Sequence, residues 1–147
     1  MVTQTITKPL FGTSGHDTKH NVPYYTSIVI DFATQSHTST DVFEVISLPI
    51  GTMVLAAGIE KLTADSDGNS NTLALGDGSV VYVAADVSTG TGQMTGLDAI
   101  GELYVHFAAA NTLDLTLAVG KLNGKVRVWA VLMYTTDPIT AQRVTFS

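Results

Sequence analysis

The chain has 147 residues, enough for one domain, and a domain of this length buries roughly 70% of the surface that its unfolded chain exposes. Its formal net charge of -6, from 13 acidic against 7 basic residues, lacks the cationic footprint that binding to a nucleic-acid backbone requires. The absence of cysteine excludes disulfides, a thiol nucleophile and thiolate zinc sites. Only 14% of the residues are charged, against a usual share of about 25%, so the surface is rich in small polar residues or is partly covered by other protein.

The chain shows no signal for a membrane or for export. No apolar run approaches the roughly 20 residues that span a bilayer. The polar start, residues 1–5, lacks the charged and apolar regions of a signal peptide. We therefore expect no membrane partner, and we expect the product to stay in the cytoplasm of the cell that makes it.

Residues 1–26 carry Thr, Gly, His, Asn and Pro with only scattered apolar positions, which predicts an extended arm rather than a packed element. Arms of this kind often lie on a neighbouring protein, and the contact residues expected here are Phe11, Tyr24 and Tyr25. Alternation of apolar and polar residues begins at Ser27. The sequence thus predicts a single domain over residues 27–147, with an arm that is dispensable for folding and needed for attachment.

The first strands follow in order. Ile28, Ile30 and Phe32 share one face of the first strand, and alternation recurs over residues 41–50 and 52–63. In the last of these, the residues expected on one face are Met53, Leu55, Ala57 and Ile59. Shorter strands at residues 72–76 and 80–84 are joined by Gly76-Asp77-Gly78, whose residues suit a tight hairpin.

The last third of the chain has the clearest strand patterns, at residues 102–107 and 114–119. Asn123-Gly124 then predicts a hairpin before a strand over residues 125–135. Some eight strands with turns between them and no convincing helix predict an all-β fold. The expected architecture is a two-sheet antiparallel β-sandwich of jelly-roll type.

The strand over residues 125–135 has two apolar faces. One face holds Val126, Val128, Ala130, Leu132 and Tyr134. The other begins with Lys125 and Arg127 and continues with Trp129, Val131 and Met133. A sandwich strand normally has one solvated face, so something must cover the second apolar row. A loop, the N-terminal arm and another subunit are all able to do so, and the last would make Trp129, Val131 and Met133 an oligomer interface.

No metal or cofactor motif is complete. Residues 65–71 begin like a calcium loop, but the position of the turn glycine holds Ser70 and that of the bidentate glutamate holds Gly76. His16, His20, His37 and His106 share no ligand spacing and are expected to be solvated. We therefore expect a fold that needs no metal ion and no cofactor.

No catalytic constellation is present either. Ser14 and Ser79 lack the full Gly-x-Ser-x-Gly pattern of a nucleophile elbow, and the Gly-rich residues 90–96 lack a Walker lysine. The sequence thus predicts a protein that is not an enzyme. Sugar binding stays open because jelly rolls include lectins. The side chains able to stack on sugars are Tyr24, Tyr25, Tyr82 and Tyr104.

Three runs in the sequence, TMVLAAGIEKL (residues 52–62), NTLALGDG (71–78) and NGKVRVWA (123–130), resemble a known family. The chain is similar over about residues 27–135 to small structural proteins of tailed bacteriophages, the capsid decoration or cement proteins. The resemblance implies a β-sandwich that assembles, commonly as a trimer, on the outside of an icosahedral capsid and clamps neighbouring major-capsid subunits. It brings no catalytic residues. The alternative is a carbohydrate-binding or receptor-binding fibre-like module of the virion.

Overall fold

A computed structural model describes residues 3–8, 22–64, 72–87, 94–96, 107, 109–118 and 122–134. This part of the chain contains nine β-strands and no helix. The strands are β1 (Thr3–Lys8), β2 (Tyr24–Asp31), β3 (Val42–Leu48), β4 (Thr52–Lys61), β5 (Thr72–Gly76), β6 (Val81–Val87), β7 (Met94–Gly96), β8 (Asn111–Ala118) and β9 (Lys125–Tyr134).

Eight of these strands pair in a nested order. β2 pairs with β9, β3 with β8, β4 with β7 and β5 with β6, and all four pairings are antiparallel. Nested pairs form one long antiparallel ribbon, and folding this ribbon over itself yields the two sheets of a jelly roll. The five-stranded sheet has the order β1-β3-β8-β5-β6, and the four-stranded sheet has the order β2-β9-β4-β7. The predicted two-sheet antiparallel β-sandwich is confirmed.

The core lies between the two sheets because alternate residues of each strand point inward. The most fully buried rows are Val126, Val128, Ala130 and Leu132 on β9 and Leu113, Leu115 and Leu117 on β8, each at most 1% exposed. Phe32 and Phe43 pack edge to face within the same core, with ring centroids 5.3 Å apart. The inward face predicted for the last strand is therefore confirmed.

A β-bulge changes the face assignment of β4. The register with β9 shifts between Val54 and Ala56, so one extra residue is inserted there. An insertion moves the preceding residues to the opposite face of the sheet. Val54 is therefore fully buried and Met53 only half-buried, whereas Ala57 and Ile59 lie in the core as predicted. The expectation that Met53 shares a face with Ala57 is wrong.

The hairpin predicted at Asn123-Gly124 is also absent. β8 and β9, which flank it, lie in different sheets, so the segment crosses between sheets. Gly124 instead lies where two backbone segments approach each other too closely for a side chain. A Cβ there would lie 2.6 Å from the carbonyl oxygen of Thr63, and the Gly124 carbonyl accepts a 3.1 Å hydrogen bond from the Phe32 amide.

The N-terminal segment contributes strands to both sheets. β1 pairs with β3 in parallel, although residues 3–8 were predicted to be part of an arm. β2 begins at Tyr24, three residues before the predicted boundary at Ser27, and Thr26 is buried. The strand thus begins earlier than expected, because Pro23 and the polar residues around it masked the start of a strand that is paired to β9. The division into an arm and a domain at residue 26 stays a prediction. Residues 9–21, including Phe11, lie outside the described residues.

The turn between β5 and β6 is held by one buried carboxylate. Gly78 has a φ of 87°, and the Asp77 amide donates to the Val80 carbonyl at 3.0 Å. Oδ1 of Asp77 accepts hydrogen bonds from the amides of Ser79 and Val80, both at 2.8 Å. Oδ2 accepts a 2.7 Å hydrogen bond from the hydroxyl of the buried Tyr82. The tight hairpin predicted at residues 76–78 is confirmed, with Asp77 as the residue that organises it.

Replacement of this carboxylate is expected to destabilise the fold. Asp77→Ala leaves the Val80 amide and the Tyr82 hydroxyl buried without an acceptor, and we expect a loss of about 2 to 4 kcal/mol in the free energy of unfolding. Ser79→Ala is the matched control, because it keeps the backbone amide and changes an exposed side chain. Urea denaturation of both variants measures the difference. Equal stability of the two variants would contradict the role given to Asp77.

Candidate functional site

The outer face of the four-stranded sheet is divided into two halves. Register places Tyr25 of β2 and Ala56 of β4 on either side of Val131, and Met53 opposite Met133. The surface called here the apolar half consists of Tyr25, Met53, Ala56, Trp129, Val131 and Met133. The surface called the charged half consists of Asp31, Glu60, Lys125 and Arg127.

The charged half is internally paired. Nζ of Lys125 lies 3.1 Å from Oδ2 of Asp31, and Arg127 forms an ion pair with Glu60. Both pairs join neighbouring strands and are partly exposed to solvent. Such surface pairs contribute roughly 0 to 1 kcal/mol each. These pairs neutralise the charges of this half and leave it in contact with solvent. The apolar half is therefore the part of the face whose side chains would gain from being buried.

Trp129 lies at the end of the apolar half that borders the charged half. Its cross-strand neighbours are Ser27 on β2 and Gly58 on β4, and these small residues leave room for the indole. The ring stacks with that of Tyr25, with centroids 6.4 Å apart and an interplanar angle of 18°. Its Nε1 is buried and has no hydrogen-bond acceptor among the described residues. A buried indole N–H normally has an acceptor, so this group is suited to donate a hydrogen bond to an acceptor on a further group.

The structure brings the predicted interface residues together. Trp129, Val131 and Met133 all point away from the core and are half-buried. Their role in an oligomer stays a prediction. Met53 joins them, and the sequence pattern missed it because the bulge in β4 is not visible as a break in alternation.

The tyrosines considered for capsid contacts or for sugar stacking differ in how exposed they are. Tyr25 is 59% exposed, whereas Tyr24, its neighbour on β2, packs against the core. Tyr82 is 1% exposed and bonded to Asp77, so it is not available to a sugar. Tyr104 lies outside the described residues. Tyr25 is therefore the tyrosine of this group that the structure leaves accessible.

His37 is buried, and the prediction that it is solvated is wrong. It is 6% exposed, and its ring packs edge-on against Phe32, with centroids 5.2 Å apart. Nε2 accepts a 3.0 Å hydrogen bond from the Leu122 amide, which is 85 positions away in sequence. Nδ1 lies 2.9 Å from the Gln35 carbonyl oxygen and donates to it, since Nε2 is the acceptor. The Leu122 amide, far away in the sequence, therefore holds the His37 ring in the core, although the residues around His37 have the composition of a polar loop.

The other chemical candidates give no site in the described part of the chain. His16, His20, His106 and the calcium-like residues 65–71 lie outside it. Within it, no group of three or more His, Asp or Glu side chains is placed to hold a metal ion. No helix long and apolar enough to cross a membrane occurs in the ranges that the structure describes.

Comparison with known proteins identifies the fold. No protein-family model matches the chain, and no curated protein matches its sequence. A chain of the capsid of Ralstonia phage GP4 is similar with a TM-score of 0.63 and 13% identity, over 83% of this chain and 90% of that one. A chain of the acidic stable capsid structure of Helicobacter pylori bacteriophage KHP30 matches with a TM-score of 0.57 and 12% identity, over 80% and 91%. A chain of the cyanophage Pam1 capsid asymmetric unit matches with a TM-score of 0.55 and 24% identity, over 88% and 95%.

The outer face of the five-stranded sheet differs from the apolar half. It mixes small, polar and apolar side chains, the exposed Val81 among them, and Glu44 of β3 lies directly opposite Asp114 of β8. A shallow depression of about 290 Å³ beside them is lined in part by Ala74, Gly76 and Thr116. Burial raises the pKa of Asp114 above its usual 3.8, the carboxylates of Glu44 and Asp77 raise it further, and a hydrogen bond from Thr112 acts in the opposite direction.

This raised pKa predicts the effect of pH on an Asp114 variant. Because the pKa of Asp114 is higher in the folded state than in the unfolded state, the folded state binds this proton more tightly. The free energy of unfolding therefore falls as the pH rises from 3.8 through the folded-state pKa. Asp114→Asn should therefore be more stable than the wild type at pH 7, by up to about 1 kcal/mol, and should show no advantage at about pH 3. Asn keeps an oxygen that accepts the bond from the Thr112 hydroxyl.

Urea denaturation at both pH values measures this difference. Asp31→Asn is the control, because it breaks the ion pair with Lys125 and should give no gain at pH 7. A destabilised Asp114→Asn at pH 7 would show that this carboxylate is favourably placed and would contradict the prediction.

Proposed function

We propose that this chain is a virion structural protein of a tailed bacteriophage that binds the outside of the capsid and cements neighbouring major-capsid subunits. The observation that carries the proposal is the fold, which is shared with chains of three phage capsids over at least 80% of this chain and at least 90% of each of theirs. The location that follows is the virion.

The surfaces of the protein support a role in association. The outer face of the four-stranded sheet carries the apolar half, with Trp129, Val131 and Met133 pointing away from the core. Apolar side chains in a row on a sandwich face are typical of protein–protein contacts. We therefore infer a structural rather than a catalytic role, with major-capsid subunits as partners.

Part of this proposal is a homo-oligomer, a trimer, with Trp129, Val131 and Met133 at its contacts. Burying a large apolar side chain is worth roughly 1.5 to 3 kcal/mol, so three in a row give a strong incentive for cover. The stacked Tyr25 and the neighbouring Met53 extend the same surface. The competing explanation is that a loop or the N-terminal arm of the same chain covers this row.

A carbohydrate-binding or receptor-binding module is the second candidate. The exposed Tyr25 beside Trp129 is the observation in its favour, because stacked aromatic side chains suit the faces of sugar rings. Burial of Tyr82 weakens it. Glycan-array binding that is lost in Tyr25→Ala would favour this candidate over the cement.

Particles of the virus that encodes the chain provide the direct test. Cryo-electron microscopy should show the chain on the outer surface of the shell, and mass spectrometry should find copies in proportion to the major-capsid subunits. Its presence only in tail fibres would support the second candidate. Its absence from purified particles would overturn both.

The trimer has its own test. Val131→Glu places a carboxylate at the centre of the apolar half, where association would desolvate it without a partner, so we expect a folded monomer. Val81→Glu is the matched control, because Val81 is 52% exposed on β6 of the other sheet, and this variant should keep the wild-type mass. Light scattering gives the mass, and circular dichroism reports the fold.

Two outcomes would contradict the interface. A wild-type monomer at micromolar concentrations would show that the row is covered within the chain. A Val131→Glu variant that unfolds while Val81→Glu stays folded would place Val131 in an internal core instead.

A further inference from the structure

Residues 122–125, called here the crossing segment, lead from the five-stranded sheet into β9 and are bonded to their surroundings at both ends. At the first end, the Leu122 amide donates a 3.0 Å hydrogen bond to Nε2 of His37, and the Leu122 side chain is buried in the core. At the other end, the Lys125 amide donates to Oγ1 of Thr63 at 2.6 Å. The backbone between these two bonds is therefore held in place.

Gly124, within the crossing segment, lies between two other parts of the backbone. Its carbonyl accepts a 3.1 Å hydrogen bond from the Phe32 amide. A Cβ on Gly124 would lie 2.6 Å from the carbonyl oxygen of Thr63 and 3.4 Å from that of Ala64. The peptide plane that joins Gly124 to Asn123 therefore has little room to rotate.

Asn123-Gly124 is also the one Asn-Gly pair in the sequence, and this pair has a chemistry of its own. Asparagine is a chemically labile residue, and a following glycine has no side chain to hinder the approach of its amide nitrogen to the asparagine side chain. The Gly124 nitrogen loses its proton and bonds to Cγ of Asn123, and the side-chain nitrogen takes a proton from water and leaves as ammonia. Water then opens the resulting succinimide ring to aspartate or isoaspartate. Asn123 is exposed, so water reaches it.

We propose that Asn123 is a deamidation site that the native fold keeps closed and that reacts when the crossing segment opens. The attack brings Cγ of Asn123 within bonding distance of the Gly124 nitrogen, which requires rotation of the peptide plane between them. The bonds of Gly124 and Lys125 and the backbone of Thr63 oppose this rotation. Opening must come first, so the rate of deamidation follows the population of the open form.

The reaction makes the opening permanent. In isoaspartate the main chain runs through the former side-chain Cβ, so the path from Leu122 to Gly124 becomes one carbon longer. Leu122 and Gly124 each have a fixed partner, Nε2 of His37 and the Phe32 amide. The longer segment cannot make both bonds in the native register, and this end of the sandwich stays open.

The site goes beyond the proposed function. It uses none of the side chains of the apolar half, and its reaction needs only water. It therefore does not depend on an oligomer or on binding to a capsid.

Comparison of the folded and the unfolded chain tests whether the fold protects the site. Both samples are kept at the same mildly alkaline pH and temperature, the unfolded one in guanidinium chloride, and mass spectrometry of peptides follows the conversion of Asn123. We expect at least about tenfold slower conversion in the folded chain, because the open form is a minor population. Equal rates, or no reaction in the unfolded chain, would overturn the proposal.

A substitution at the end of the crossing segment tests whether its opening is the step that matters. Thr63→Ala removes the acceptor of the Lys125 amide and leaves Asn123 unchanged. Loss of one hydrogen bond shifts an equilibrium by about two- to tenfold, so we expect the folded variant to deamidate faster by that factor. Thr112→Ala is the matched control, because it removes a threonine hydroxyl that donates to Asp114 at 2.7 Å on the other sheet, and it should leave the rate unchanged. An unchanged rate in Thr63→Ala, or equal acceleration in Thr112→Ala, would show that local opening of this segment does not control the reaction.

Refolding of the product tests whether the opening becomes permanent. The chain deamidated in guanidinium chloride is separated by chromatography into its aspartate and isoaspartate forms, and each is refolded. Asn123→Asp is the matched control, since it carries the new carboxylate on a normal main chain and should unfold at a urea concentration close to that of the wild type. We expect the isoaspartate form to unfold at a clearly lower concentration. An isoaspartate form as stable as Asn123→Asp would refute the claim that the longer main chain cannot reclose.

Discussion

The structure depends on β9, a strand that is apolar on both faces. It pairs with β2 on one side and with β4 on the other, so it is held at the centre of the four-stranded sheet. Its inner row, Val126 to Leu132, is buried against the five-stranded sheet, and this burial holds the two sheets together. Its outer row, Trp129, Val131 and Met133, is then necessarily at the surface. One strand therefore builds the core and creates the surface that a partner is proposed to cover.

The two outer faces of the sandwich have different physical properties. On the five-stranded sheet, Glu44 lies opposite Asp114, and these two like charges are not part of any apolar row. On the four-stranded sheet, ions are confined to one half, where each is paired, and the other half is apolar. A protein that binds through one face needs such an asymmetry, because the second face must stay in water when the first is covered.

Buried polar groups position the loops that close the sandwich. Asp77 accepts hydrogen bonds from two backbone amides and from the Tyr82 hydroxyl within one turn. His37, in the loop before β3, accepts a hydrogen bond from the Leu122 amide, just before β9. Each of these groups has its hydrogen-bonding atoms satisfied, which is the condition under which a buried polar residue favours a single conformation. The loops are therefore held by specific bonds, and the apolar row of β9 is presented on a rigid support.

Alternation along the chain was sufficient to predict β3 to β6, β8 and β9, the sandwich and the two apolar faces of β9, since side chains of a strand alternate whatever its neighbours are. It did not predict β1 and β7, and most of the strand expected at residues 102–107 lies outside the described residues. The turn at Asp77 was also predictable, because its bonds are local in sequence. The bulge in β4, the start of β2 at Tyr24 and the burial of His37 were not, since each depends on a partner far away in the chain: β9 for both strands and Leu122 for the histidine. Only the tertiary structure could place Met53 opposite Met133 and Tyr25 beside Trp129, because registers between strands are fixed by contacts between residues that are far apart in the chain.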